Sequence, residues 1–304
     1  MHQAASSTKT TPVKSRAVAA LVVANMALAS GPLFVRMADV GPVAAGFWRI
    51  ALATPVLLAI AVAMGAKPVA SSRGLWGVLM IAGVAFAADL ASWHIGIHHT
   101  TLANSTLFGN SATLIFPIYG FFAARMWPTR LQGLALLLAA IGAGLLLGRS
   151  ASLSADNLTG DLLCLLAGAL YAVYFVFMAR ARERLAPIPA LAVSSIATIP
   201  PLLILALAMG ETVIPGNWGP VIILALVSQL IGQGCMIFAL GHLSPLVIGI
   251  GLLIQPVVAA ALGWAVYDER LATADMIGAV LVAAALVLVR SSEVASADEK
   301  PKSA

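Results

Sequence analysis

Two ionisable side chains, Arg49 and Asp89, stand inside long apolar runs, Val43 to Met64 and Leu75 to Ile97. An ionisable group at the middle of a bilayer costs at least about 2.5 to 3.5 kcal/mol, so it marks a partner or a task. Counted from the ends of their runs at about 1.5 Å per residue, both sit about 10 to 12 Å below the same surface. One reading is structural: the two neutralise each other, or backbone carbonyls cap Arg49 and a hydroxyl serves Asp89. The other is functional: a zwitterion offers its carboxylate to the guanidinium and its ammonium to Asp89.

Trp93 follows Asp89 by four residues, which places both on one helix face. An indole there is either an anchor at the membrane surface or part of a cavity wall. His94 comes next, and His94 and His98 have the spacing of two metal ligands on one helix. No third ligand stands in a fixed motif, and His98-His99 falls where a tight turn is expected. The expectation is no metal and no cofactor, with a solvated turn or a pH-sensitive gate as the readings of the histidines. Asp89 and His94 are the candidates for a coupled proton.

Uncharged polar groups at mid-depth are Asn25, Asn110, Tyr171, Tyr174, Ser194, Gln229, Gln233 and Gln255. Each could be interhelical glue worth under about 1 to 2 kcal/mol. Gln229 and Gln233, four apart, make a polar stripe that suggests a wet wall. Tyr171 and Tyr174, three apart with Phe175 beside them, make either an aromatic surface or core packing. The candidate substrate-binding set is therefore Arg49, Asp89, Trp93, His94, Tyr171, Tyr174, Gln229 and Gln233, with no catalytic residue.

The elements that must position this set are hydrophobic helices. Ten apolar stretches fill the chain: Ala17–Val35, Val43–Met64, Leu75–Ile97, Leu102–Ala124, Leu131–Gly148, Leu162–Ala179, Ala190–Met209, Trp218–Leu240, Leu246–Val266 and Ala272–Val289. A hydrocarbon core about 30 Å thick needs about 20 such residues. The hydrophobic fraction is 61% and the charged fraction 10%, with mean hydropathy +1.00, which leaves no room for an aqueous domain. The expected fold is all-α and integral to the membrane. Residues 1–16 form an N-terminal tail, 17–148 a first five-helix unit, 149–161 a loop, 162–289 a second five-helix unit and 290–304 a charged tail.

Thirteen of the 17 Lys and Arg residues fall in the two tails and one set of alternate loops, and three, Arg36, Arg149 and Arg270, fall in the other set. Basic residues are retained in the cytoplasm, so both termini are expected there and 149–161 in the periplasm. The net charge of +5 thus reports on topology and not on nucleic acid. A cleavable leader ending near Ala27-Leu28-Ala29 is the competing reading of the N-terminus; the apolar run continues past that point to Val35. Cys164 and Cys235 are expected at opposite ends of their helices, as free thiols.

The two units look duplicated. Ala24-Asn25-Met26-Ala27 leading to Arg36 parallels Gly168-Ala169-Leu170-Tyr171 leading to Arg180, both 144 residues on; Asn104-Ser105 and Pro117 parallel Ser244-Pro245 and Pro256 at a shift near 139. An odd number of helices per unit makes the second enter from the opposite face, an inverted repeat of the kind secondary transporters use. Gly31-Pro32-Leu33-Phe34-Val35-Arg36, Gly41-Pro42 and Phe47-Trp48-Arg49 in the first unit resemble the drug/metabolite transporter superfamily in its EamA-type branch of ten-helix exporters. Ala239-Leu240, Ser244-Pro245, Gln255-Pro256, Tyr267-Asp268-Glu269-Arg270-Leu271 and Gly278 resemble the close of an EamA repeat. The sequence departs from that pattern twice: residues 125–131 lack the carboxylate that Glu269 supplies in the second unit, and Gln255 stands where glutamate often precedes proline.

The resemblance implies an inner-membrane secondary transporter that exports amino acids or similar small metabolites by alternating access, as a monomer in the lipid bilayer. Alternatives are export of drugs or nucleobase-type metabolites, an intramembrane enzyme using Asp89 and His94 as acid and base, and a membrane sensor. No nucleotide-binding Gly-x-x-x-x-Gly-Lys motif and no His-Glu-x-x-His motif is present.

Overall fold

The structure is a computed structural model, and it describes residues 10–125, 127–150 and 155–268 together with isolated positions between 273 and 288. Among the described residues all regular structure is helical: α1 (Thr10–Ala29), α2 (Gly31–Met37), α3 (Pro42–Ala63), α4 (Pro68–Ser71), α5 (Trp76–Ile97), α6 (Leu102–Gly109), α7 (Ala112–Ala124), α8 (Arg130–Ser150), α9 (Ala155–Arg182), α10 (Pro187–Ala208) and α11 (Gly219–Ile223). A π-helical segment, Leu224–Gln233, leads into α12 (Gly234–Leu240), α13 (Pro245–Leu252) and α14 (Ile254–Tyr267). Proline in the first turn opens α2, α3, α10 and α13, where no backbone N–H is needed.

Among the described residues, seven helical stretches are long and apolar enough to cross a bilayer: Val13–Met37, Pro42–Ala63, Trp76–Ile97, Asn157–Arg182, Pro187–Ala208, Gly219–Leu240 and Pro245–Tyr267. Two of the other expected stretches do not form one long described apolar helix. The stretch 102–124 is broken into α6 and α7 at Asn110-Ser111, and α8 continues as helix to Ser150, with Arg130–Gly142 as its described apolar part. The expected tenth stretch, Ala272–Val289, is described only at isolated positions, and Glu269 and Arg270 before it lie outside the described residues. Large apolar side chains such as Ile204, Leu207 and Phe122 point outward, exposed by 67%, 61% and 79%, as they do in a protein whose solvent is lipid.

Three landmarks recur 143 residues apart. Thr101 caps α6 by accepting from Asn104 N, and Ser244 caps α13 by accepting from Val247 N. The helix breaks at Asn110 and again at Leu253. Arg125 ends α7 at φ 51°, and Asp268 ends α14 at φ 53°. This spacing corrects the sequence parallel near 139, which matched Ser244 to Ser105 and not to the capping Thr101. α6 packs on α14 and α7 on α13, so the two broken helices cross antiparallel. α5 lies along α9, α3 along α10, and α1 along the π-helical segment and α12. This packing brings α1, α3, α5, α6, α9 and the π-helical segment around the centre of the molecule.

Candidate functional site

Arg49 projects from α3 and is 1% exposed. Its Nε donates to Gln229 Oε1 at 3.2 Å, and its guanidinium carbon stands 5.8 Å from the centre of the Phe86 ring. Gln229 Nε2 in turn donates to Ser195 Oγ at 3.5 Å, tying the π-helical segment to α10. One guanidinium nitrogen is therefore held from behind. Among the described residues its two terminal nitrogens have no hydrogen-bond partner.

Arg49 lines a cavity of about 30 Å³ that Asp89 of α5 also lines. Space of that size holds a water or two. Asp89 is 6% exposed and, among the described residues, has neither a hydrogen-bond partner nor an ion pair with Arg49. Direct neutralisation of the two is thus not formed; they share a cavity without touching.

Trp93, Tyr171 and Gln233 of the expected set line the same cavity, and Phe86, Asn110 and Gln255 complete its polar and aromatic wall. Trp93 is no surface anchor: it is buried and donates from Nε1 to Ser105 O at 2.9 Å. Gly109 makes that possible, because a Cβ there would stand 2.8 Å from Trp93 Nε1. Tyr171 donates from Oη to Gln233 Oε1 at 3.1 Å and stacks beside Tyr174, their ring centres 5.8 Å apart and nearly parallel.

His94, Tyr174 and Gln229 stand one layer behind. His94 Nδ1 is 3.0 Å from Pro42 O on α3, because the residue after Trp93 points about 100° round the helix. Tyr174 stacks on Phe86 at 4.5 Å, and its hydroxyl lies beside Gln233 and Ser194 without good hydrogen-bond geometry to either. Gln229 braces Arg49. Among the described residues no group of three His, Cys, Asp or Glu could hold a metal ion. Cys164 is buried, Cys235 is partly buried, and both are free thiols.

A polar chain absent from the expected set runs along one side of the cavity. Asn110 Nδ2 donates to Gln255 Oε1 at 3.3 Å, Gln255 Nε2 to Asn25 Oδ1 at 2.8 Å, and Asn25 Nδ2 to Leu21 O at 2.7 Å. It joins the two broken helices to α1. All three residues are legible as mid-depth polar groups; the signal that unites them is the helix breaks, which leave Asn110 as the cap of α6 and Gln255 in the first turn of α14.

Residues 158–291 match the EamA-like transporter family. That match places the second half of the chain in the drug/metabolite transporter superfamily. In this EamA-like chain the match takes in α9, α10, the π-helical segment and both halves of the second broken helix, and thus Tyr171, Gln233 and Gln255 of the cavity. A crystal structure of another protein covers 91% of the EamA-like chain and 96% of its own length, with a TM-score of 0.72 at 16% identity. That likeness shows the fold. None of the curated proteins compared matches.

Proposed function

We propose that this EamA-like membrane protein is an alternating-access secondary transporter that exports amino acids or similar small zwitterions across the cell's inner membrane. The observation that carries this reading is a buried guanidinium and a buried carboxylate that line one cavity, unpaired with each other and with open hydrogen-bonding atoms. Leaving two such charges unpaired inside a protein costs several kcal/mol per ion, about as much as a well-placed ligand would restore. A ligand carboxylate fits the two terminal nitrogens of Arg49, and its ammonium fits Asp89.

The landmarks recurring at 143 residues and the antiparallel crossing of the broken helices support ten helices in two inverted units, 17–148 and 162–289. A cavity sized for a water or two is a closed state, so the helices must part to admit a ligand. Asp89 is the group on its wall that can carry a proton. The positive-inside distribution puts both termini in the cytoplasm.

Purified protein in liposomes loaded with labelled amino acids, nucleobases or cationic drugs, with and without a pH gradient, tests the reading. Amino-acid efflux above that of empty liposomes, abolished by Arg49→Ala, is expected. Movement of drugs or nucleobases alone would refute the zwitterion. Cysteine at Ser6 is expected to be labelled from the cytoplasm and cysteine at Asn157 from outside.

A further inference from the structure

Residues 209–218, between α10 and α11, lie across the start of α3. Gly210, at φ 68°, turns the chain out of α10. Glu211 then reaches the end of α3: its Oε1 accepts from Val43 N at 3.2 Å and its Oε2 from Ala44 N at 2.8 Å. These are two of the N–H groups that a helix start leaves without an internal acceptor, and a carboxylate there also meets the positive end of the helix dipole. Three more hydrogen bonds follow the same line: Gly41 N to Thr212 O at 3.0 Å, Trp48 Nε1 to Val213 O at 2.6 Å and Asn217 N to Asp39 Oδ2 at 2.8 Å. Trp48 meets Trp218 edge to face at 4.8 Å.

Gly41 is the residue that lets this happen. A Cβ at that position would run into the Glu211 side chain, so glycine leaves the space through which the carboxylate reaches the helix end. α3 carries the consequence inward: Arg49 follows Val43 by less than two turns and directly follows Trp48.

We propose that Glu211 is a positioning residue whose grip on the start of α3 holds residues 209–218 as a strap across that helix end and sets the place of Arg49 in the cavity. Release of the strap from α3 opens the cavity toward this face. The purpose of such opening rests on the transport reading; the latch itself rests on the contacts of Glu211, Gly41 and Trp48.

Ser228 supplies the reporter. It is buried in the π-helical segment beside Gly31 and Trp93, and among the described residues its hydroxyl has no hydrogen-bond partner, so cysteine there forfeits no hydrogen bond seen in the structure. In a Cys164→Ala, Cys235→Ala, Ser228→Cys background, a membrane-impermeant maleimide is expected to react slowly. Charge-assisted hydrogen bonds contribute about 1.5 to 3 kcal/mol each, so Glu211→Ala and Gly41→Ala should each raise the labelling rate about tenfold or more. Glu211→Gln, which keeps one acceptor, should fall between, at an unchanged thermal midpoint. Should Glu211→Ala fail to fold, Glu211→Gln and Gly41→Ala carry the test. Labelling equal to the parent in monodisperse variants overturns the latch, even where transport is intact. Faster labelling supports it, even where no solute is moved and the transport reading falls.

Discussion

The strap face and the cavity centre treat their polar groups in opposite ways. At the strap, Glu211, Asp39 and Trp48 are each bonded to backbone on the far side of the contact, and on the same face the Arg36 guanidinium donates to Ile97 O and Thr100 O while Thr100 donates to Asp161. At the centre, among the described residues, Arg49 is held by one nitrogen and Asp89 by no hydrogen bond. A satisfied network fixes one arrangement, whereas an open charge in low dielectric favours whatever completes it. The strap face therefore reads as a structure with a definite resting position, and the centre as one whose polar atoms stay open, as the proposed ligand site requires.

The strongest way to break this contrast is to remove the open charge. Truncating one partner of a buried charged contact costs about 2 kcal/mol or more, which is roughly 30-fold in affinity. Arg49→Ala should weaken ligand binding by at least that factor, and Arg49→Lys should recover only part of it because the fork of donors is gone. Asp89→Asn keeps the size and loses the charge, so a smaller loss is expected. Isothermal titration in detergent measures all three. Unchanged affinity in Arg49→Ala and Asp89→Asn together would make the centre as structural as the strap.

A smaller effect is expected at the amide chain. Gln255→Leu leaves Asn110 Nδ2 and Asn25 Oδ1 without the partners they have now. Interhelical hydrogen bonds in membrane proteins average about 0.6 kcal/mol with a maximum near 1.7, so the thermal midpoint should fall by a few degrees while ligand affinity changes little. A loss of affinity as large as that of Arg49→Ala would move the amide chain from scaffold to ligand contact.

Much of the scaffold was legible in the sequence. Continuous runs bounded by glycine, proline and charge placed Pro42–Ala63, Trp76–Ile97 and Pro187–Ala208 to within a few residues. The rule of four then put Asp89 and Trp93 on one wall, since α5 keeps regular α geometry. The same rule met a π-helical segment at Gln229 and Gln233, where turns close at i to i+5, and only Gln233 reaches the cavity. Hydropathy did not show the breaks at Asn110 and Leu253, because the stretches around them are apolar enough overall to read as single runs. Ala155–Asp161 begins α9 although its polarity reads as loop. Glu211 was unreadable for a different reason: a loop carboxylate becomes a latch through a contact 168 residues away.

The smallest expected effect is at the edge of the strap face, at His98. Partial burial first, then the neighbouring charges of Arg36 and His99, lower its imidazole from the ordinary value. For a base whose pKa is lower folded than unfolded, the unfolded chain binds the extra proton. Stability from this group is accordingly present above the unfolded value near 6.5 and is lost as pH falls through it toward the folded value. The side chain is exposed, so solvent screens most of the effect. The thermal midpoint in detergent should fall slightly between pH 7 and pH 5, and His98→Gln should remove that part of the slope. A steep fall cancelled by His98→Gln would instead show that the strap face depends on a neutral imidazole, and that its hydrogen bonds are less self-sufficient than their geometry indicates.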